Sequence, residues 1–186
     1  MSTGTLLAII IPIVVLIVLI AVVLTVTMRR RRRLRERFGP EYDRTVEDKG
    51  SRRAAEHDLD ARENRHDSLD IRPLPNAARD RYQQSWSDVQ EEFVDRPEEA
   101  VGKADRLVTA LMRERGYPTE GYEQQMRDLS VEHGRTLEHY RTAHDTLALS
   151  SSEPVTTEQL RGAMVHYRAL FEELLAGSDR RDPDRS

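Results

Sequence analysis

"LEHYRTAHDTL" at residues 137–147 and "MVHYRALFEEL" at residues 164–174 decide the fold class of this chain. Leu137, Tyr140, His144 and Leu147 recur at intervals of three and four, and Met164, Tyr167, Phe171 and Leu174 repeat that spacing. Side chains at this period share one face of an α-helix, whereas a strand would scatter them over both faces of a sheet. Both segments carry His-Tyr-Arg in the same register, so Tyr140 and Tyr167 lie on the apolar faces of their helices. Two antiparallel neighbours, joined through Ser150 to Thr156 and packed by the same solution, account for the likeness.

The same period extends in both directions. "IRPLPNAARD" (71–80) breaks the chain at Pro73 and Pro75, and Asn76 can cap a helix whose apolar face is Ala78, Tyr82, Trp86, Val89 and Phe93. Asp95 is expected to cap the next helix, with Pro97 in its first turn. Ala100, Ala104, Leu107, Val108 and Leu111 form its buried face, and Gly116 ends it. A shorter helix gathers Tyr122, Met126 and Leu129. Thr156 and Gln159 form a capping box for the last helix, which Gly177 closes. No segment alternates as a half-buried strand would. The expectation is an all-α chain with a bundle of four or five helices over residues 76–176 and a disordered polar tail at 177–186. Tyr82, Trp86, Tyr140, Tyr167 and Phe171 are its candidate core or pocket residues.

At the other end, Leu6 to Met28 is 23 residues without a charge, with Thr25 and Thr27 the only polar side chains. As a helix it would measure about 35 Å, against a hydrocarbon core of about 30 Å, so a transmembrane helix over 6–28 is expected. "RRRRRLRER" follows directly. Arginines beside a span are retained in the cytoplasm, which predicts a single-pass plasma-membrane protein with its N-terminus outside and its C-terminal domain cytoplasmic. In a basic juxtamembrane segment at 29–39, Arg29, Arg30, Arg31, Arg32, Arg33, Arg35 and Arg37 would contact anionic lipid headgroups, at about 1 kcal/mol each.

Residues 40–72 read as a charged helical spacer. A helix from Pro40 to Lys49 should stop at Gly50. Ser51 can cap a second, running to about Leu69, with only Ala55, Leu59, His66 and Leu69 as a thin apolar stripe suited to a spacer or a coiled-coil partner.

Charge and composition narrow the chemistry. The chain carries −4, and residues 29–37 hold seven arginines against Glu36, a net of +6, so the rest carries −10. An acidic domain is a poor partner for phosphate backbones, and nucleic-acid binding is disfavoured. There is no cysteine, hence no disulfide, thiolate metal site or cysteine nucleophile. A di-iron bundle needs two E-x-x-H motifs, and Glu63-x-x-His66 is the lone match. His139 and His144 are five apart and do not share a helical face. His166, beside Tyr167, reads as a solvated flank histidine, with a cytoplasmic pH sensor as the alternative. H-E-x-x-H, G-x-S-x-G and phosphate-binding glycine loops are absent. The sequence therefore assigns no catalytic residue, metal or cofactor.

"LRERFGPEYDRTVED" (34–48), "IRPL" (71–74), "DRLVTALMRERGYP" (105–118) and "MVHYRALFEELL" (164–175) resemble the recurring blocks of a family of bacterial proteins, frequent in actinobacteria, with one N-terminal span. The resemblance covers residues 34–175. It implies a single module at a bacterial cytoplasmic membrane and carries no activity, cofactor or catalytic residue. The functional expectation is a membrane-tethered interaction or scaffold protein, its partners the anionic bilayer and another membrane or envelope-associated protein. Contact is expected on the acidic bundle surface and the helix from Ser51 to Leu69. The alternative is a ligand-responsive regulator or enzyme with a small-molecule pocket near Tyr82, Trp86 and Tyr167. A packed bundle with an exposed groove would favour the first.

Overall fold

The punctuation of the sequence sets the helix boundaries. A computed structural model describes residues 3–150 and 154–177, with side chains from Val14 onward. Its helices are α1 (Thr3–Phe38), α2 (Pro40–Lys49), α3 (Arg52–Asp67), α4 (Asn76–Glu92), α5 (Pro97–Glu114), α6 (Tyr122–His133), α7 (Leu137–Ser150) and α8 (Thr157–Ala176). No strand occurs among the described residues. Gly39, at φ 55°, turns the chain from α1 into α2, and Pro40 opens the new helix with the φ its ring already fixes. The capping box of α8 is present: Thr156 N–H donates to Gln159 Oε1 at 2.8 Å, and Gln159 N–H donates to Thr156 Oγ1 at 3.3 Å. Asp95 does not cap α5. Arg96 occupies that position without a side-chain bond, and Pro97 alone sets the first turn. The predicted tail beyond Gly177 and part of the α7–α8 link, residues 151–153, lie outside the described residues.

Helix α5 lies at the centre of the main core. Its buried stripe of Ala100, Val101, Ala104, Val108, Leu111 and Met112 meets α4, α7 and α8. The expected neighbours α7 and α8 pack on each other, with Tyr140 edge-on to Tyr167 at 5.8 Å and 73° between rings. Trp86 stacks on Phe171 at 4.7 Å. A second, smaller cluster of Leu34, Phe38, Tyr42, Leu59 and Val131 fastens the end of α1, with α2 and α3, onto α6.

The structure corrects the membrane expectation. No helix among the described residues is long and apolar enough to cross a membrane, so the span at 6–28 and the single-pass plasma-membrane topology derived from it are not supported. Residues 6–13 of that stretch lie outside the described side chains. From Val14 to Met28 the helix is apolar and 50–66 % exposed at its large side chains. Of the arginines that follow it, Arg30, Arg33, Arg35 and Arg37 pair with acids of α2 and α3.

Candidate functional site

Arg30, Arg33 and Arg37 on α1 follow one another at three and four residues, and Asp60, Glu63 and Asp67 on α3 have the same spacing. The two stripes meet. Arg30 pairs with Asp60, Arg33 with Glu63 at 2.8 Å, and Arg37 with both Glu63 and Asp67, the latter at 3.4 Å. The shared offset means that α1 and α3 run in the same direction past each other. Glu63 is buried and accepts from two guanidiniums, so it anchors the set. Arg32 pairs with Glu36 at 2.7 Å and Arg35 with Asp43 at 2.6 Å. Four of the seven predicted arginines, Arg30, Arg33, Arg35 and Arg37, thus pair across the fold, while their side chains stay 36–62 % exposed. The sequence reads α3 as a charged spacer or coiled-coil partner; two opposite-charge stripes of matching period were the signal that would have joined it to α1.

A charged cleft of about 410 Å³ lies between α2, α3, α6 and α7. Glu41, 5 % exposed, is its floor. Arg141 grips both Glu41 oxygens at 2.9 Å, and Arg62 donates to Oε1 at 3.2 Å. Burial works against the Arg141 charge, but Glu41 and then Glu138 together more than offset it and raise the guanidinium pKa. At the rim, Lys49 pairs with Asp58 at 3.2 Å and Arg44 with Glu138 at 2.9 Å. Burial pushes the Asp58 carboxyl up, yet Arg62 and Lys49 together hold it below its usual value. Because the cations of this cleft are mostly taken by its own carboxylates, its main work is to join α2 and α3 to α6 and α7.

A buried polar chain performs a similar joining task. Tyr117 Oη donates to Glu132 at 3.0 Å and lies 3.2 Å from His133 Nε2, while His133 Nδ1 faces Glu173 at 3.2 Å. Thr136 donates to the other Glu173 oxygen. Arg115, 1 % exposed, donates to the Leu174 carbonyl at 2.9 Å and so satisfies the C-terminal end of α8. No group of three or more metal-ligating side chains occurs among the described residues.

The five aromatic candidates are core residues. Tyr140, Tyr167 and Phe171 are at most 2 % exposed. Tyr167 Oη donates to Asp105 at 2.9 Å, and burial, with Asp105 beside them, lifts the Tyr140 and Tyr167 phenols well above the ordinary range. Tyr82 donates to Glu114 at 2.8 Å; burial, then Glu114, pushes its phenol up to about 12. Trp86, 6 % exposed, also borders the surface, unlike Tyr140, Tyr167 and Phe171. Helices α4 and α8 both pack on α5, and between them runs a groove of about 190 Å³ lined by Trp86, Gln90, Phe93, Met164, Val165 and the arginines Arg161 and Arg168. Val165 is 61 % exposed at its lip. Trp86 Nε1 is buried without a hydrogen-bond partner among the described residues.

No protein-family model, curated protein or solved structure matches the chain.

Proposed function

We propose that this chain is a helical interaction module whose α4–α8 groove receives an amphipathic segment of a partner protein, with an apolar anchor flanked by carboxylates. The observation behind this reading is the groove itself. Val165 and the half-buried Phe93 present apolar surface beside the edges of Trp86 and Met164, whereas Tyr140, Tyr167 and Phe171 are fully packed. Arg161 and Arg168 stand on its α8 side, one turn before and after the apolar lining; each pairs with an exposed carboxylate of α8, Glu158 and Glu172, which an acidic flank of the partner would replace. A buried N–H without an acceptor costs about 1–3 kcal/mol. A carboxylate or carbonyl entering beside Trp86 would supply one.

Trp86 is the sole tryptophan, so its fluorescence reports the groove directly. Two helical peptides with the same leucine face, one with a glutamate polar face and one with lysine, are titrated into the full chain. The glutamate peptide is expected to shift the emission and to bind about tenfold tighter, a difference of ~1.4 kcal/mol. Val165→Asp should abolish the shift, and Arg161→Glu with Arg168→Glu should reverse the preference. Binding by neither peptide, or binding indifferent to Val165→Asp, would overturn the reading.

The regulator reading has one specific observation in its favour, the size of the charged cleft, which falls within the range of small-molecule sites. Arg127 on its rim has no ion-pair partner among the described residues and could meet an anion. The near-complete pairing of the other cations makes this the weaker proposal.

A further inference from the structure

The repeated His-Tyr-Arg places more than two tyrosines in contact. Because α7 and α8 are antiparallel neighbours, the first residue of each triplet also meets its counterpart. His139 Nδ1 lies 2.9 Å from His166 Nδ1, with ring centroids 4.9 Å apart and planes inclined by 19°. Both rings lie at the surface, His139 exposed and His166 half-buried. One turn before His166 stands Gly162, where an added Cβ would meet nothing within 4 Å, so that side of the pair is open.

We propose that His139 and His166 form a two-histidine chelate for a divalent transition-metal ion, Cu²⁺ or Ni²⁺ in preference to Zn²⁺, with water completing the coordination. Imidazole nitrogens bind such ions at about 2.0–2.1 Å, and two of them in adjacent positions of a square or octahedral sphere are then about 2.9 Å apart. A tetrahedral ion would want them about 3.4 Å apart. The spacing in the fold is the first of these. In the metal-free pair one Nδ1–H donates to the other Nδ1, which needs one lone pair and one proton between them. On metal binding that proton transfers through solvent to Nε2 of the same ring, both Nδ1 lone pairs go to the ion, and the neutral pair releases no net proton. The ion would then cross-link α7 to α8. This inference is independent of the groove, which it does not use.

The full chain is titrated with Cu²⁺, Ni²⁺ and Zn²⁺ against a chromogenic chelator, and the Cu²⁺ form is measured by pulsed electron paramagnetic resonance. The expected result is one Cu²⁺ per chain with two imidazole nitrogens, and tighter binding of Ni²⁺ than of Zn²⁺. His139→Gln and His166→Gln should each weaken Cu²⁺ by about tenfold or more and leave one imidazole, a loss at least as large as that of a ligand's supporting partner. His57→Gln, on α3, should change neither value. Circular dichroism of each variant separates a lost ligand from a lost fold, and Ni²⁺ should raise the melting temperature of the parent chain but of neither glutamine variant. A single imidazole in the parent spectrum, no measurable binding, or affinities unchanged in both variants would overturn the proposal.

Discussion

Glu41 is a buried carboxylate that two arginines depend on. Exposed ion pairs contribute little because water screens them and two long side chains must be ordered to form them. A buried pair behaves differently when broken, since the stranded partner keeps its desolvation cost and loses its compensation. Glu41→Ala should therefore destabilise the chain by about 3 kcal/mol, whereas Glu172→Ala, which removes an exposed partner of Arg168 on α8, should stay within about 0.5 kcal/mol. Urea unfolding of both variants beside the parent decides it: equal midpoints would mean that the Glu41 network does not carry the joint. This pairing was not legible in the sequence. Arg141 lies 100 residues from Glu41, and a single carboxylate on a helix of mostly charged residues has no periodicity to set it apart. His139 and His166 were hidden for the same reason in part: helical spacing within each segment showed which residues face the core, and only the antiparallel pairing brings the two rings together.

Elements are more legible than partners. The helices of the main core follow from apolar recurrence and from proline, glycine and threonine punctuation, because these act within a few residues and need no knowledge of the rest of the chain. Gly116 shows the limit. Its φ of 95° is what a helix-ending glycine suggests, but a Cβ there would also overlap the Asp70 carbonyl, which crosses it because Arg72 N–H bonds Arg115 O at 2.8 Å. Gly121, at φ 85°, has open space around it. Gly121→Ala should thus cost only the backbone term, about 1 kcal/mol, while Gly116→Ala should cost clearly more, about 2–3 kcal/mol, because the loop at 70–74 must move as well. Thermal unfolding of the two variants tests the difference, and matching losses would show that the loop yields freely. The stripes of α1 and α3 teach the converse: each was visible alone, and neither named the other.

At the scale of the whole molecule, two apolar clusters share one helix. α6 gives Met126 and Leu129 to the main core and Val131 to the cluster of Leu34, Phe38, Tyr42 and Leu59, so the apolar attachment of the N-terminal helices runs through α6, beside the ion pairs from α2 to α7. The thin apolar stripe of α3 reads as a spacer when its charges are counted, yet Ala55, Leu59 and His66 are all buried, and the helix packs on α1, α2 and α6. Such an arrangement should open in two steps. Phe38→Ala removes the largest apolar member at the centre of the small cluster and should cost about 3 kcal/mol locally. Amide exchange should then accelerate across residues 34–67 and in α6, while α4, α5, α7 and α8 keep their protection, because local openings follow the density of buried contacts. Arg65, which donates to buried Asp128 at 3.0 Å, would be released in the same step, so Arg65→Ala should accelerate the same amides to a lesser degree. Uniform acceleration through α5 and α8 would instead mean that the two clusters unfold as one, and that α6 transmits the loss and does not divide it.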